Sequence, residues 1–424
     1  MFKKALLILA AGLLFLSACT PISLQSTGAP STQPAGATAQ NQNPVPTGYP
    51  AIPPAEPGSQ AGAYPPGGAA VPAAPSSAYP AGGAATATAP ASAYPAQPAG
   101  EPQTLTVMTH DSFAVTDTII QEFEKANNVK ITFIKSGDAG AALNKAIISK
   151  GAPLADVFYG VDNTFISRAL ENNIFEPYAA PLLANVAAEF KLDPQNRALP
   201  VDFGDVCINY DKAYFTDKKL AVPQSLEDLA KPEYKGLLVM ENPATSSPGL
   251  AFLLATIAHF GPDQYLNYWK SLADNGLVIV DGWETAYNTN FSAAAGKGPQ
   301  PMVVSYGSSP AAEVVYAETA PKEPPTASIV APQSCFRQIE FVGILAGTKN
   351  RALAEKFIDF MLSVPFQADM PLQMFVFPVN PQASLPDVYK QTVQMPEQPA
   401  RMAPDEIAKN RDAWIQAWKD TVLK

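Results

Sequence analysis

The chain has 424 residues, with 28 Lys+Arg against 38 Asp+Glu and two histidines, His110 and His259. This acidic balance contains no basic block and excludes nucleic-acid binding, which needs clustered cations to neutralise phosphates. Without a Cys-x-x-Cys or His-x-x-x-His pairing a zinc site is excluded too, and neither metal nor cofactor is expected.

Residues 1–18 read as a secretory signal peptide: Lys3 and Lys4, an apolar run from Ala5 to Leu16, then small residues. The run is about a dozen residues, short of the roughly 20 that span a hydrocarbon core. Leu16-Ser17-Ala18-Cys19 resembles the bacterial lipobox. That resemblance implies that Cys19 is lipidated and holds the mature protein to a membrane by acyl chains. Between Pro21 and Pro102 lie 18 of the 43 prolines and only two charges, Glu56 and Glu101. Tyr49, Tyr64, Tyr79 and Tyr94 recur every fifteen residues, each before a proline. Residues 19–102 are therefore expected to be a lipid-anchored, disordered tether reaching roughly 50 Å as a coil.

The remaining residues, about 320, have the size at which one core divides into two. Strand and helix patterns alternate: Thr104 to Thr109 extended, a helix from Thr116 to Asn127, Val129 to Ile134 extended, a helix from Ala139 to Lys150, Ala155 to Tyr159 extended. Such alternation means an α/β fold with a parallel sheet covered by helices, binding its ligand beyond the strands' carboxyl ends. The segments to search are His110-Asp111-Ser112-Phe113 and Gly160-Val161-Asp162-Asn163. Further strands at Val206 to Tyr210 and Ile339 to Ile344 enclose a block large enough to be a second lobe. Lobe 1 is expected to comprise 103–205 and 340–424, and lobe 2 to comprise 206–339. Helices at Leu353 to Leu362 and Asp405 to Val422 complete lobe 1, and Trp414 and Trp418 are expected to pack. Cys207 and Cys335 sit in an oxidising compartment, but their spacing leaves a disulfide open.

From Leu105 onward the chain resembles the thiamine-binding periplasmic proteins of bacterial ABC importers. The segments that carry the resemblance include His110-Asp111-Ser112-Phe113, Ala155-Asp156-Val157 with Gly160-Val161-Asp162-Asn163, Asp202-Phe203-Gly204, and Asn209-Tyr210-Asp211-Lys212. Further on come Thr245-Ser246-Ser247-Pro248-Gly249-Leu250, Gly282-Trp283-Glu284-Thr285-Ala286-Tyr287 and Ser305-Tyr306. The resemblance implies a two-lobed periplasmic-binding-protein fold of the class II type, with a ligand cleft between the lobes. It also implies thiamine or a thiamine phosphate as ligand, an importer permease as partner, and a monomer that performs no catalysis. The sequence departs from the family at His110, where relatives carry tyrosine, and at Phe375, where they carry tryptophan. An early family tryptophan is also absent from Ala114-Val115-Thr116, which leaves a thiamine precursor or another organic cation open.

A flat cation calls for ring faces and hydrogen-bond acceptors. Trp283, Tyr287, Tyr306 and Phe375 are the candidate rings. His110, Asp111, Ser112, Gly160, Asp162 and Asn163 are the candidate polar and close-approach residues, with Asp205 as a further carboxylate. Thr245, Ser246 and Ser247 open a helix whose amides suit a phosphate, or serve only as its cap. The rival from another class is a thiaminase-like enzyme using Cys207 as nucleophile, although the apolar Val-Cys-Ile setting has no base to activate it.

Overall fold

Helices and strands alternate from Gln103 onward in a computed structural model that describes residues 101–423 apart from 294–296, 318 and 320. The expected signal, Cys19 and nearly all of the tether lie outside the described residues. β1 (Gln103–Thr109), α1 (Asp117–Asn127), β2 (Val129–Lys135), α2 (Ala139–Ile148) and β3 (Val157–Asp162) give a parallel set ordered β2-β1-β3. Leu105 and Val107 of β1 are fully buried, and β3 is buried along its length, as a central strand covered on both faces must be. β3 starts later than the apolar pattern suggests and continues through Gly160-Val161-Asp162, because β10 pairs with that stretch.

α3 (Ile166–Glu171) and β4 (Phe175–Glu176) lead into the long β5 (Leu199–Asp211). Next come α4 (Lys212–Lys218), β6 (Leu238–Glu241), α5 (Ser247–Phe260), α6 (Tyr265–Asp274) and β7 (Val278–Val280). The single turn α7 (Trp283–Thr285), β8 (Met302–Tyr306), α8 (Ser309–Val315) and β9 (Thr326–Ile329) follow. β10 (Phe336–Leu345), α9 (Arg351–Met361), α10 (Val364–Gln373), β11 (Phe377–Pro378), α11 (Asp387–Thr392) and α12 (Pro404–Val422) end the chain.

β5 changes partner without breaking. Its first half, Leu199 to Val206, pairs antiparallel with β10, and its second half, Val206 to Tyr210, pairs antiparallel with β8. The sheet thus runs β2-β1-β3-β10-β5-β8-β6-β7, two α/β lobes joined by β5 and β10. A Cys207–Cys335 disulfide ties the change-over point of β5 to the residue before β10. It settles the pairing that spacing left open.

Packing follows composition. α5 is apolar on all sides, with Leu250 to Ala255 fully buried, as a helix enclosed by its neighbours must be. α12 buries Ile407, Arg411, Trp414 and Trp418 on one face. Trp418 meets Trp269 of α6 edge-on at 5.7 Å, and Arg411 donates to Ser167 Oγ of α3 at 3.0 Å. The last helix therefore packs on both the insertion and the first segment. No helix among the described residues is long and apolar enough to cross a membrane.

Candidate ligand-binding site

The chain beyond β1 supplies His110, whose Nε2 lies 3.4 Å from Glu340 Oε1 of β10. Gly160 permits this: a Cβ there would stand 2.4 Å from His110 Cδ2, and its φ of +108° favours glycine in any case. Asp111 spends its carboxylate locally, accepting the Gly137 N–H at 2.7 Å, and thereby fixes the loop after β2; Ser112 is half-buried on the same turn.

Beside His110 lies a buried group of acids. The Tyr159 hydroxyl donates to Asp202 at 2.6 Å and to Glu340 at 3.2 Å, and these two carboxyls face each other across β5 and β10. Burial, and then the charge of Glu340, push Asp202 well above the usual carboxylate range. Burial opposes ionisation of Glu340 as well, but His110 at ion-pair distance outweighs it and holds Glu340 low. The same pair raises His110 against its own burial, with help from Asp138 and Asp111. Asp162 is pushed up to about 7 by burial, against hydrogen bonding from Thr164 and the nearby Ser247 hydroxyl and with the charge of Glu340 adding to the rise.

The aromatic wall comes from the other lobe. Trp283, half-buried, stacks on Tyr287 at 5.0 Å and 14°, and its indole N–H donates to Ser305 Oγ at 2.9 Å. Tyr287 is buried beneath it, its hydroxyl donating to Glu313 at 2.6 Å, so it backs Trp283. Tyr306 at the end of β8 packs against Gly204, where a Cβ would come within 3.0 Å of the ring, and its hydroxyl donates to Gln338 at 3.2 Å. The charges of Glu340, Asp138 and Asp162 all act on Tyr306, which puts the ring and the three acids in one neighbourhood. Phe375 joins a different group: its φ is +54°, its ring packs on Tyr316 at 5.5 Å, and it clusters with Phe377 and Tyr389. The partner Trp283 stacks on is Tyr287.

Direct bonds cross between the lobes. The Trp283 backbone N–H donates to Asp138 Oδ2 at 2.9 Å, and the Ala141 N–H of α2 donates to the Thr245 carbonyl at 3.2 Å. Thr245 Oγ1 donates to the Asp281 carbonyl at 2.7 Å and so holds the two loops of its own lobe together. Ser246 and Ser247 are buried at the start of α5, the first beside Asp138 and the second beside Asp162, near enough to lower each acid's pKa without full hydrogen-bond geometry. Two carboxyls thus already face the helix start that was expected to suit an anion. Asp162 Oδ2, Ser246 Oγ, Ser247 Oγ and Gln338 Nε2 lack an intramolecular hydrogen-bond partner, a concentration of polar capacity that buried protein rarely leaves unused.

Two expected ligand contacts serve the scaffold. Asn163 donates to the Arg337 carbonyl and accepts from the Ile339 N–H, each at 3.0 Å, so its amide is spent on β10. Asp205 holds Arg337 in a two-point ion pair at 2.7 and 3.0 Å. Cavities of about 120 and 360 Å³ lie elsewhere, the first lined by Asn163, Arg337 and Ile407, the second by Lys212, Thr326 and Gln394. Neither cavity is lined by Trp283, Tyr306, Asp138, Asp162 or Glu340. Asp138, Tyr159, Asp202, Gln338 and Glu340 were not singled out by sequence. Asp202 and Glu340 had a signal: each is a charge set directly among the apolar residues of a buried strand, Val201 and Phe203 beside the first, Ile339 and Phe341 beside the second. Cys207 is disulfide-bonded, so it offers no thiol nucleophile.

A two-lobed α/β fold with this strand order is that of a binding protein for a small solute. The chain belongs to the bacterial extracellular solute-binding protein family, whose profile matches residues 152–399. It is 30% identical to the thiamine-binding periplasmic protein of Brucella suis biovar 1 (strain 1330), over 74% of this chain and 91% of that protein. It is 29% identical to the thiamine-binding periplasmic protein of Escherichia coli (strain K12), over 76% of this chain and 94% of that one. Among solved structures, a periplasmic thiamin binding protein superposes with a TM-score of 0.66 at 27% identity, covering 76% of this chain and 96% of that chain.

Proposed function

We propose that this protein captures thiamine outside the cytoplasmic membrane and hands it to the permease of an ABC importer, held to the membrane by lipid on Cys19. The observation that carries the ligand is the pairing of Trp283 and Tyr306 with Asp138, Asp162 and Glu340 in one neighbourhood. A thiazolium is a permanent cation with a flat face. Ring faces attract it by about 0.5–2 kcal/mol each, and a carboxylate wall supplies the opposite charge. In this reading Trp283 and Tyr306 flank the ligand, Tyr287 stiffens Trp283, and Asp162, Ser246 and Ser247 offer acceptors to the aminopyrimidine. Unphosphorylated thiamine is favoured over its phosphates, because a phosphate at the start of α5 would face Asp138 and Asp162. The moving bodies are lobe 1 (103–205 with 340–424) and lobe 2 (206–339), and a tether over 19–102 gives them reach.

The test is mass spectrometry of small molecules released from the purified protein, followed by calorimetric titration. Thiamine is expected in the released fraction, with tighter binding of thiamine than of its phosphates. A different solute mass, with no heat from any thiamine form, overturns the reading. Lipidation is read by intact mass, where Cys19→Ala should abolish the acyl increment.

A further inference from the structure

Among the described residues, His110 is the base that bears on the acids of the cleft. The charges and hydrogen bonds that bear on Asp138, Asp162, Glu340 and Tyr306 come from other acids, hydroxyls, an amide side chain, backbone amides and His110, with no lysine or arginine among them. His110 itself is enclosed, with Gly160 against its ring on one side and the Tyr159 ring at 5.7 Å on another. The titratable groups facing it are Glu340 from β10 at 3.4 Å, Asp138 from the cap of α2, Asp111 from its own turn and Tyr159 from β3. Its tautomer is not fixed by a hydrogen bond at Nε2, which meets Glu340 at ion-pair distance but without hydrogen-bond geometry.

Resting on the reading that the ligand is an organic cation, we infer that His110 is the exchangeable counter-cation of this site: it holds a proton against Glu340 when the cleft is empty and releases it when a cation docks. The reason is electrostatic. One buried carboxylate facing two cations at once places like charges close together in a medium that screens poorly, so the mobile one leaves. The proton passes from the imidazolium to solvent or buffer, His110 remains as neutral imidazole, and the bound cation inherits the charge of Glu340. Capture is then an exchange of one cation for another, and His110 makes affinity depend on pH. The sign follows from linkage: binding that releases a proton strengthens as pH rises, by up to about tenfold per pH unit for one full proton, through the interval between the two His110 pKa values.

The experiment combines calorimetry of thiamine binding in two buffers of different ionisation enthalpy, at pH 6 and 8, with an NMR titration of the histidine ring protons. His259 lies on the surface against Glu227, so His259→Gln assigns the His110 signal. Proton release on thiamine binding, a fall in the His110 pKa, and loss of both the release and the pH slope in His110→Gln support the exchange. Thiamine binding with no proton release, or with release that persists in His110→Gln, overturns it. Should thiamine give no heat at either pH, the thiamine reading fails, and choline then serves as the quaternary-ammonium probe in the same titration. A choline-induced fall in the His110 pKa keeps the exchange, and an unmoved His110 sinks it.

Discussion

The backbone N–H of Trp283 donates to the Asp138 carboxylate at 2.9 Å, so the residue that caps α2 in one lobe also holds the aromatic wall of the other. A bond to a charged acceptor contributes roughly 1.5–3 kcal/mol and a helix cap about 1 kcal/mol. Asp138→Ala removes both, and because the first forms only when the lobes meet, closure suffers more than folding. Thiamine affinity measured by calorimetry is expected to fall about 10- to 100-fold. Asp138→Asn keeps an acceptor and should lose less. Wild-type affinity in the alanine variant would remove Asp138 from closure.

Trp283 is the one tryptophan of the four that is not buried, since Trp269, Trp414 and Trp418 lie in the core. Thiamine should therefore quench emission through Trp283 alone, and Trp283→Ala should abolish the quench with little change in melting temperature. Trp418→Ala, which opens a void against Trp269, should instead cost about 3–5 kcal/mol and leave binding intact in the folded fraction. Quenching that survives Trp283→Ala would place the ligand elsewhere.

These contrasts show how far the sequence carries. Helix and strand periods located β1 to β3, β10, α9 and α12 but not α3, β4, α10, β11 or α11, and the ends of β1 and β3 pointed to His110, Gly160 and Asp162. The end of β2 was passed over, because an edge strand with Ser136-Gly137-Asp138 reads as an ordinary turn and cap. Asp111, Asn163 and Asp205 read as ligand groups by position, yet each is consumed by a neighbour that only folding brings near: Gly137, β10 and Arg337. Local sequence gives the type of a polar side chain. Who reaches it first is set by strand register, and the β5–β10 pairing that creates the acid cluster joins residues well over 100 positions apart.

The disulfide lies at the change of partner in β5, closing a loop with a sequence separation of 128 residues. Cross-links over long loops constrain the unfolded chain and contribute about 2–5 kcal/mol in proteins of this kind. Cys207→Ser with Cys335→Ser is expected to lower urea-unfolding stability by that amount while keeping thiamine affinity within a few-fold. A large loss of affinity at unchanged stability would mean that the bridge sets the hinge angle instead.

Asp162 gives a pH signature with a definite sign. Its folded carboxyl titrates at about 7, against about 3.9 in an unfolded chain. Below about pH 4 both states hold the proton and the residue contributes no slope. Between there and pH 7 the folded state holds more protons, so stability falls as pH rises, and above that window the loss is complete. Asp162→Asn cannot ionise and escapes this decline. The stability of the variant relative to wild type, from urea unfolding at pH 5 and pH 8, should therefore improve by roughly 2 kcal/mol between the two. The shift is smaller than full desolvation would give, because Ser247 and Thr164 ease the ionised form. A difference between variant and wild type that is the same at both pH values would mean that Asp162 is ionised in the folded protein throughout, and that the cleft carries a fixed negative charge there at both.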